Sequence, residues 1–335
     1  MTEEKGRNKY NNPLAAILTG IGDLFRKPKN GLILGEDHRL DGLKAVITGA
    51  SSGLGLATAV ELARRGAMVI MAVRSGIPDK GEEVKKRSGS DQVAMIPLDL
   101  ADLESVRSFP RRCMEQFGEV DVFISNAAMV AKNSRQILPG LDEMFLVNYL
   151  AKFILINGII GENCLNTRGD RLPRIIFVAS ESHRNPGHFH WEEFGTYVPY
   201  GIKKSVYMYG YYKLLLVTMA NELSRRLNPG PGSPDRPGRI HVPVAALCPG
   251  PVNSNIAREI PRAFRPLLRL VFRLFFRSPE KACKPVVYLA CSEEHGSLPM
   301  DYLFLMQRKA MDPRAEDPEN GKRLWEMSEE LSLRS

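Results

Sequence analysis

Short β-branched and apolar runs alternate along this chain with longer stretches whose apolar positions recur at three- and four-residue intervals. Residues 45–48 form the first such run, and residues 67–73, 93–98, 121–125, 174–179 and 240–247 repeat the type. Helical spacing fills the gaps at 56–62, from Asp102 onward, at 141–160 and at 207–227. Strands that are apolar throughout, each followed by a helix, predict a parallel sheet covered on both faces, a doubly wound α/β domain. The first strand starts only at about residue 44, and no internal repeat is visible.

This pattern divides the chain into an N-terminal extension over 1–40, a nucleotide-binding body over 41–310 and a C-terminal tail helix over 311–335. The Pro- and Gly-rich stretch 229–238 reads as a surface loop. Two amphipathic segments depart from compact α/β spacing. Residues 13–26 place Leu14, Ile17, Leu18, Ile21 and Phe25 at helical intervals. Within a segment at 255–278, residues 264–276 carry Leu267, Leu268, Val271 and Phe275 on one side of a helix, and arginines face the other. Such a helix suits a membrane interface, its arginines near lipid phosphates. It equally suits a lid over a pocket at the carboxyl ends of the strands, and the two readings are compatible. The 13–26 segment is either a second membrane contact or an arm packed on the body.

Composition narrows the class. The chain has 335 residues, 44% of them hydrophobic, enough for one large α/β domain. The net charge is +8, and residues 258–277, with six arginines and one acid, supply five of those charges. A basic balance confined to one segment is a local surface, so no nucleic-acid partner is expected. Five cysteines, odd in number and without C-x-x-C spacing, point to a reducing compartment, to buried thiols and to neither a disulfide framework nor a metal site. A polar N-terminus of mixed charge argues against a secretory signal, and no run of about 18 uncharged apolar residues indicates a membrane span. The expected location is cytoplasmic, with peripheral membrane contact through 13–26 and 264–276.

Between the first strand and helix lies a glycine turn. Thr48, Gly49, Ser51, Ser52, Gly53, Leu54 and Gly55 combine a strand end, a tight turn and a helix N-terminus. The N-terminus offers unpaired N–H groups and partial positive charge to a phosphate, and glycines let the backbone come close. The second strand ends on Arg74, and no acid occupies 69–75. An acid there would bond the ribose 2′-hydroxyl; an arginine pairs with a 2′-phosphate, so NADP(H) is favoured over NAD(H). Farther on, Tyr209 and Lys213 are four apart and share a helix face. An ammonium close to a phenol lowers its pKa and fits it for general acid–base work.

The ordered set Thr48-Gly49-x-x-x-Gly53-x-Gly55, Asn126-Ala127-Ala128, Asn148, Ser180, Tyr209-x-x-x-Lys213 and Pro249-Gly250 resembles the short-chain dehydrogenase/reductases over about residues 42–310. The resemblance implies a single Rossmann-like domain with a seven-stranded parallel sheet, and hydride transfer between a nicotinamide and an alcohol or carbonyl. It implies that Tyr209 exchanges the proton, that Lys213 lowers its pKa and holds the nicotinamide ribose, that Ser180 bonds the substrate oxygen and that Asn148 holds a relay water. Asp99 and Leu100 would lie at the adenine, Asn126 and Ala127 beside the cofactor, and Pro249, Gly250, Val252 and Ser254 at the nicotinamide. Ala128 replaces the family's usual glycine. Tyr212 stands where a serine is common, a change expected to face outward or toward a second subunit. Ala-Ser180-Glu-Ser-His183, an aromatic insertion with His188, Phe189, His190, Trp191 and Phe194, and a Leu324-Trp325-Glu326 tail resemble retinol-dehydrogenase-like members in particular. That likeness implies a lipophilic substrate of the retinoid, steroid or long-chain aldehyde class. Pairing through the helices of Asn148 and Tyr209 would make a homodimer, by analogy. The alternative is a catalytically silent NADPH-binding scaffold or sensor at a membrane surface.

Overall fold

The computed structural model describes residues 31–138, 140–229, 241–252 and 277–335. The segments 13–26 and 264–276, and Ser254, lie outside the described residues. The strands are β1 (Lys44–Thr48), β2 (Met68–Val73), β3 (Val93–Pro97), β4 (Val122–Ser125), β5 (Gln136–Leu138), β6 (Leu141–Asp142), β7 (Arg174–Val178), β8 (Val244–Cys248), β9 (Met300–Phe304) and β10 (Gln307–Arg308). Seven of them pair in parallel in the order β9-β8-β7-β4-β1-β2-β3, as the resemblance implied. The two-residue β10 adds an antiparallel edge on β9. The hairpin β5–β6 stands apart from this sheet.

β1 lies between β2 and β4, where the strand order reverses. In open α/β sheets this reversal opens a crevice at the carboxyl ends of the strands. The principal helices are α1 (Gly53–Arg64), α2 (Asp79–Ser88), α3 (Leu103–Phe117), α4 (Glu143–Gly161), α5 (Ile202–Leu227), α6 (Lys284–Cys291) and α7 (Pro318–Arg334). Side chains from α1 and α6 fill one core cluster, and those from α3, α4, α5 and α7 fill the other. α3 starts where the sequence predicts, since Asp102 caps it by accepting from the Glu104 backbone N–H at 3.0 Å.

α4 differs from a plain helix. Leu146–Leu150 forms a π turn inside it, a local widening often found at functional sites. With a mean hydropathy of 1.7 it is long and apolar enough to cross a membrane, yet 67% of that window is buried inside the protein, as befits a core helix. The tail helix α7 packs on α4 and α5. Tyr149 Oη and Ser328 Oγ are 2.6 Å apart, the Phe153 and Trp325 rings lie 4.9 Å apart, and the Arg226 guanidinium stands 4.4 Å from the Trp325 ring. α7 thus covers part of the face through which the resemblance implied a homodimer.

Candidate active site

Three strand ends meet at the glycine turn. Thr48, the last residue of β1, accepts at Oγ1 from the backbone N–H groups of Asn126 (3.0 Å) and Ala127 (3.1 Å). Asn126 Nδ2 returns a hydrogen bond to the Thr48 carbonyl at 2.9 Å. These residues, read in the sequence as cofactor contacts, thus also brace β1 against β4. Gly49 has φ +68°, and a Cβ there would stand 2.9 Å from Ala127. A Cβ on Gly55 would stand 2.4 Å from the Gly49 carbonyl oxygen and 2.5 Å from Asn126 Nδ2. Only glycine fits at either place. Ser52 precedes α1 without a side-chain cap, and the first turn carries no acid. Its N–H groups therefore keep their capacity for an anion.

The turn opens onto a cleft of about 670 Å³. Every described residue read as a cofactor contact lines it: the turn itself, Arg74, Asp99, Leu100, Asn126, Ala127, Pro249, Gly250 and Val252. Arg74 is exposed and makes no hydrogen bond or ion pair among the described residues. Lys80, from the first turn of α2, lines the same end and escaped the sequence reading because its helix is polar, with only Gly81 and Val84 buried. Asp99 accepts from the Ala101 N–H at 2.9 Å, so its loop is self-bonded.

At the other end Ser180, Tyr209 and Lys213 converge on the cleft. Asn148 does not line it. Its side chain is fully buried behind Met129, donating to that residue's carbonyl at 2.8 Å and accepting from its N–H at 3.0 Å. It holds the loop after β4, and the relay water expected on Asn148 gains no support from its side chain. Lys213, 1% exposed, donates to the Val178 carbonyl at 2.8 Å and stands 5.5 Å from the Tyr209 ring centre. Burial pushes its pKa down to about 8. Burial also raises the Tyr209 phenol above its ordinary value, and a hydrogen bond from Ser180 opposes that only in part. Burial dominates, the lowering expected from Lys213 does not appear, and the phenol is protonated at neutral pH, the state of a proton donor.

Ser180 Oγ accepts from the Ser182 N–H at 3.2 Å and from Ser182 Oγ at 2.9 Å. With both lone pairs engaged, its own proton is left to be donated, toward Tyr209 here and toward a substrate oxygen in the cleft. Ser182, given no role in the sequence reading, has this supporting part.

Comparison with known proteins agrees with the geometry. A family model described as short chain dehydrogenase matches residues 44–196. Retinol dehydrogenase 13 of Mus musculus is 32% identical over 327 residues, covering 95% of this chain and 93% of that one. The chain belongs to the short-chain dehydrogenase/reductase family. Its likeness is to the retinol-dehydrogenase-like subgroup, for Retinol dehydrogenase 14 of Mus musculus is also 32% identical over 340 residues, with 94% and 96% of the two chains covered. An uncharacterized protein of Mycobacterium Paratuberculosis has the same fold, with TM-score 0.65, 29% identity, and 88% and 95% coverage. A short-chain dehydrogenase/reductase is an oxidoreductase of alcohols and carbonyls that uses a nicotinamide cofactor, and the braced glycine cradle fits such a group.

One departure from the family pattern turns out otherwise than expected. Tyr212 faces inward and is buried. Its ring lies 5.5 Å from Phe145 of α4, and its hydroxyl donates to Asp142 Oδ2 at 3.4 Å, beside Tyr200 at 2.8 Å. α7 and the aromatic insertion enclose α5 on its outer side, so a large side chain there fills core rather than meeting solvent.

Proposed function

We propose that this chain is an NADP(H)-dependent oxidoreductase acting on a lipophilic alcohol or carbonyl of the retinoid, steroid or long-chain aldehyde class. The observation that carries the reading is one cleft bringing the glycine cradle and Arg74, unpaired among the described residues, together with Ser180, Tyr209 and Lys213. Arg74 presents positive charge at the end of the cleft where a 2′-phosphate would lie, Lys80 on the same lining is paired with Glu83 at 2.6 Å, and no acid stands at 69–75 to take a 2′-hydroxyl. The bound nicotinamide supplies the hydride. The chain's residues manage the oxygen: Ser180 donates a hydrogen bond to it, and Tyr209 gives it a proton or takes one back. Their donors are fixed before charge develops on that oxygen, which is the economical way to stabilise it. Lys213 keeps the Tyr209 environment positive and is placed to hold the nicotinamide ribose. Met129, Val130 and Val147, beside the Arg135–Glu143 ion pair, also line the cleft and offer apolar surface in keeping with a lipophilic substrate. The amphipathic segments 13–26 and 264–276 make peripheral membrane contact a part of this proposal.

A panel of carbonyls and alcohols, followed at nicotinamide absorbance with NADPH and with NADH, tests the reading. NADPH should be preferred, and Arg74→Asp should lower the NADPH:NADH ratio of kcat/KM by at least about tenfold, one charge contact of ~1.4 kcal/mol or more. An unchanged ratio refutes the assignment of Arg74.

A further inference from the structure

The turn that holds Ser180 is stitched to a stretch of chain more than 120 residues away. Ser180 begins a 3-10 turn, Glu181–Arg184, and residues 309–314 run along it. Lys309 Nζ lies 2.5 Å from Glu181 Oε2, and Tyr302 Oη donates to Glu181 Oε1 at 2.8 Å. Arg184 donates to the Ala310 carbonyl. Arg314 donates to the Pro186 and Arg184 carbonyls.

His183 is at the centre of this seam and has no exposed surface. Its Nδ1 lies 2.7 Å from the Ser180 carbonyl oxygen, and its Nε2 lies 3.3 Å from the Asp312 backbone nitrogen. A carbonyl only accepts and an amide N–H only donates, so Nδ1 carries the proton and Nε2 the lone pair. Both ring nitrogens are satisfied in that one neutral tautomer. The ring is further fixed edge-on against Tyr302, 5.4 Å between centres.

From this geometry we infer that His183 is a positioning residue for the reaction: it clamps the backbone of Ser180 to the C-terminal segment at Asp312 and so sets where the Ser180 hydroxyl stands. The inference rests on the reading of Ser180 as the donor to the substrate oxygen. The side chains of Ser180 and Ser182 settle which way the hydroxyl proton is free to point; His183 settles where the whole turn sits relative to Tyr209. A displacement of about an ångström at such a donor is enough to cost on the order of a hundredfold in rate.

Two near-isosteric variants divide the clamp. In His183→Asn the amide N–H stands near the Nδ1 position and can still donate to the Ser180 carbonyl. In His183→Gln the amide oxygen stands near the Nε2 position and the side chain keeps only the Asp312 bond; the backbone bond from residue 183 to the Ser180 carbonyl at 3.1 Å stays in both variants. Each is assayed with NADPH and the carbonyl that the panel shows to be turned over fastest, beside Ser180→Ala, and each is followed by hydrogen exchange. We expect kcat of His183→Gln to fall roughly ten- to a hundredfold with KM for NADPH unchanged, and His183→Asn to keep kcat within about threefold. Exchange should rise across 180–186 in His183→Gln and across 310–313 in His183→Asn. If the two variants lose kcat equally, or lose only thermal stability, the positioning role is overturned while the proposed function stands. If Ser180→Ala keeps full turnover, the reading of Ser180 fails first; unchanged exchange at 180–186 in His183→Gln would overturn the clamp on its own.

Discussion

Ser180, Lys213 and His183 each hold a proton state set by their surroundings rather than by residue type. Ser180 is left as a donor because Ser182 engages both its lone pairs. Lys213 is drawn down to about 8 by burial, so its ammonium persists at neutral pH. His183 is drawn from 6.5 to about 4, chiefly by burial, although Glu181 and Asp312 pull the other way while Arg184 adds to the fall. The bond to the Ser180 carbonyl also pulls it up, Tyr302 packs against its ring, and Arg314 pairs with the Asp312 carboxylate. Between those two values the unfolded chain binds a proton that the native state refuses. The contribution is whole above about 6.5 and lost as pH falls toward about 4, with a ceiling of about 3 kcal/mol. Chemical denaturation at neutral pH and near pH 4 should show the loss, reduced in His183→Asn; equal losses in both chains would contradict it. Tyr209, Lys213 and the glycine turn were legible in the sequence, because their chemistry is carried by type and spacing. Ser182, His183 and Lys80 were not, because their parts depend on contacts made by residues distant in the chain or on a polar helix without apolar period.

Among the elements, the six strands read from apolar runs are all present, displaced by a residue or a few at their ends, because buried parallel strands are continuous apolar stretches. β9 did not show itself. Its sequence Met-Asp-Tyr-Leu-Phe contains Asp301, which is buried beside His295 at 3.6 Å and bonded by Arg308 at 3.2 Å. β6, the second strand of the hairpin, was read as the start of the helix, since Leu141 is buried like a helical apolar position, and β5 was not read at all. The tail helix α7 was foreseen, but its place was not: Leu324, Trp325 and Ser328 are buried on the α4–α5 face. That face is thereby filled from within the same chain. Light scattering should find the full chain monomeric through this face. A chain ending before residue 317 should expose the apolar surface and self-associate; a full-length dimer broken by substitutions on α4 would contradict this placement.

Over the whole molecule, one sheet supports two separate tasks. Its reversal at β1 opens the crevice, with the glycine turn at one end and the loop after β7 with α5 at the other; in the proposed reading the first takes the cofactor phosphates and the second the reacting oxygen. The central claim is that Tyr209 moves the proton for hydride transfer on a bound carbonyl or alcohol. The direct measurement compares Tyr209→Phe with the natural chain for both turnover and NADPH binding. Removing one hydroxyl should cut kcat by roughly a hundred- to ten-thousandfold. NADPH affinity, read by fluorescence, should change by less than about threefold, a shift below 1 kcal/mol. Turnover retained in Tyr209→Phe with the cofactor still bound would contradict the account.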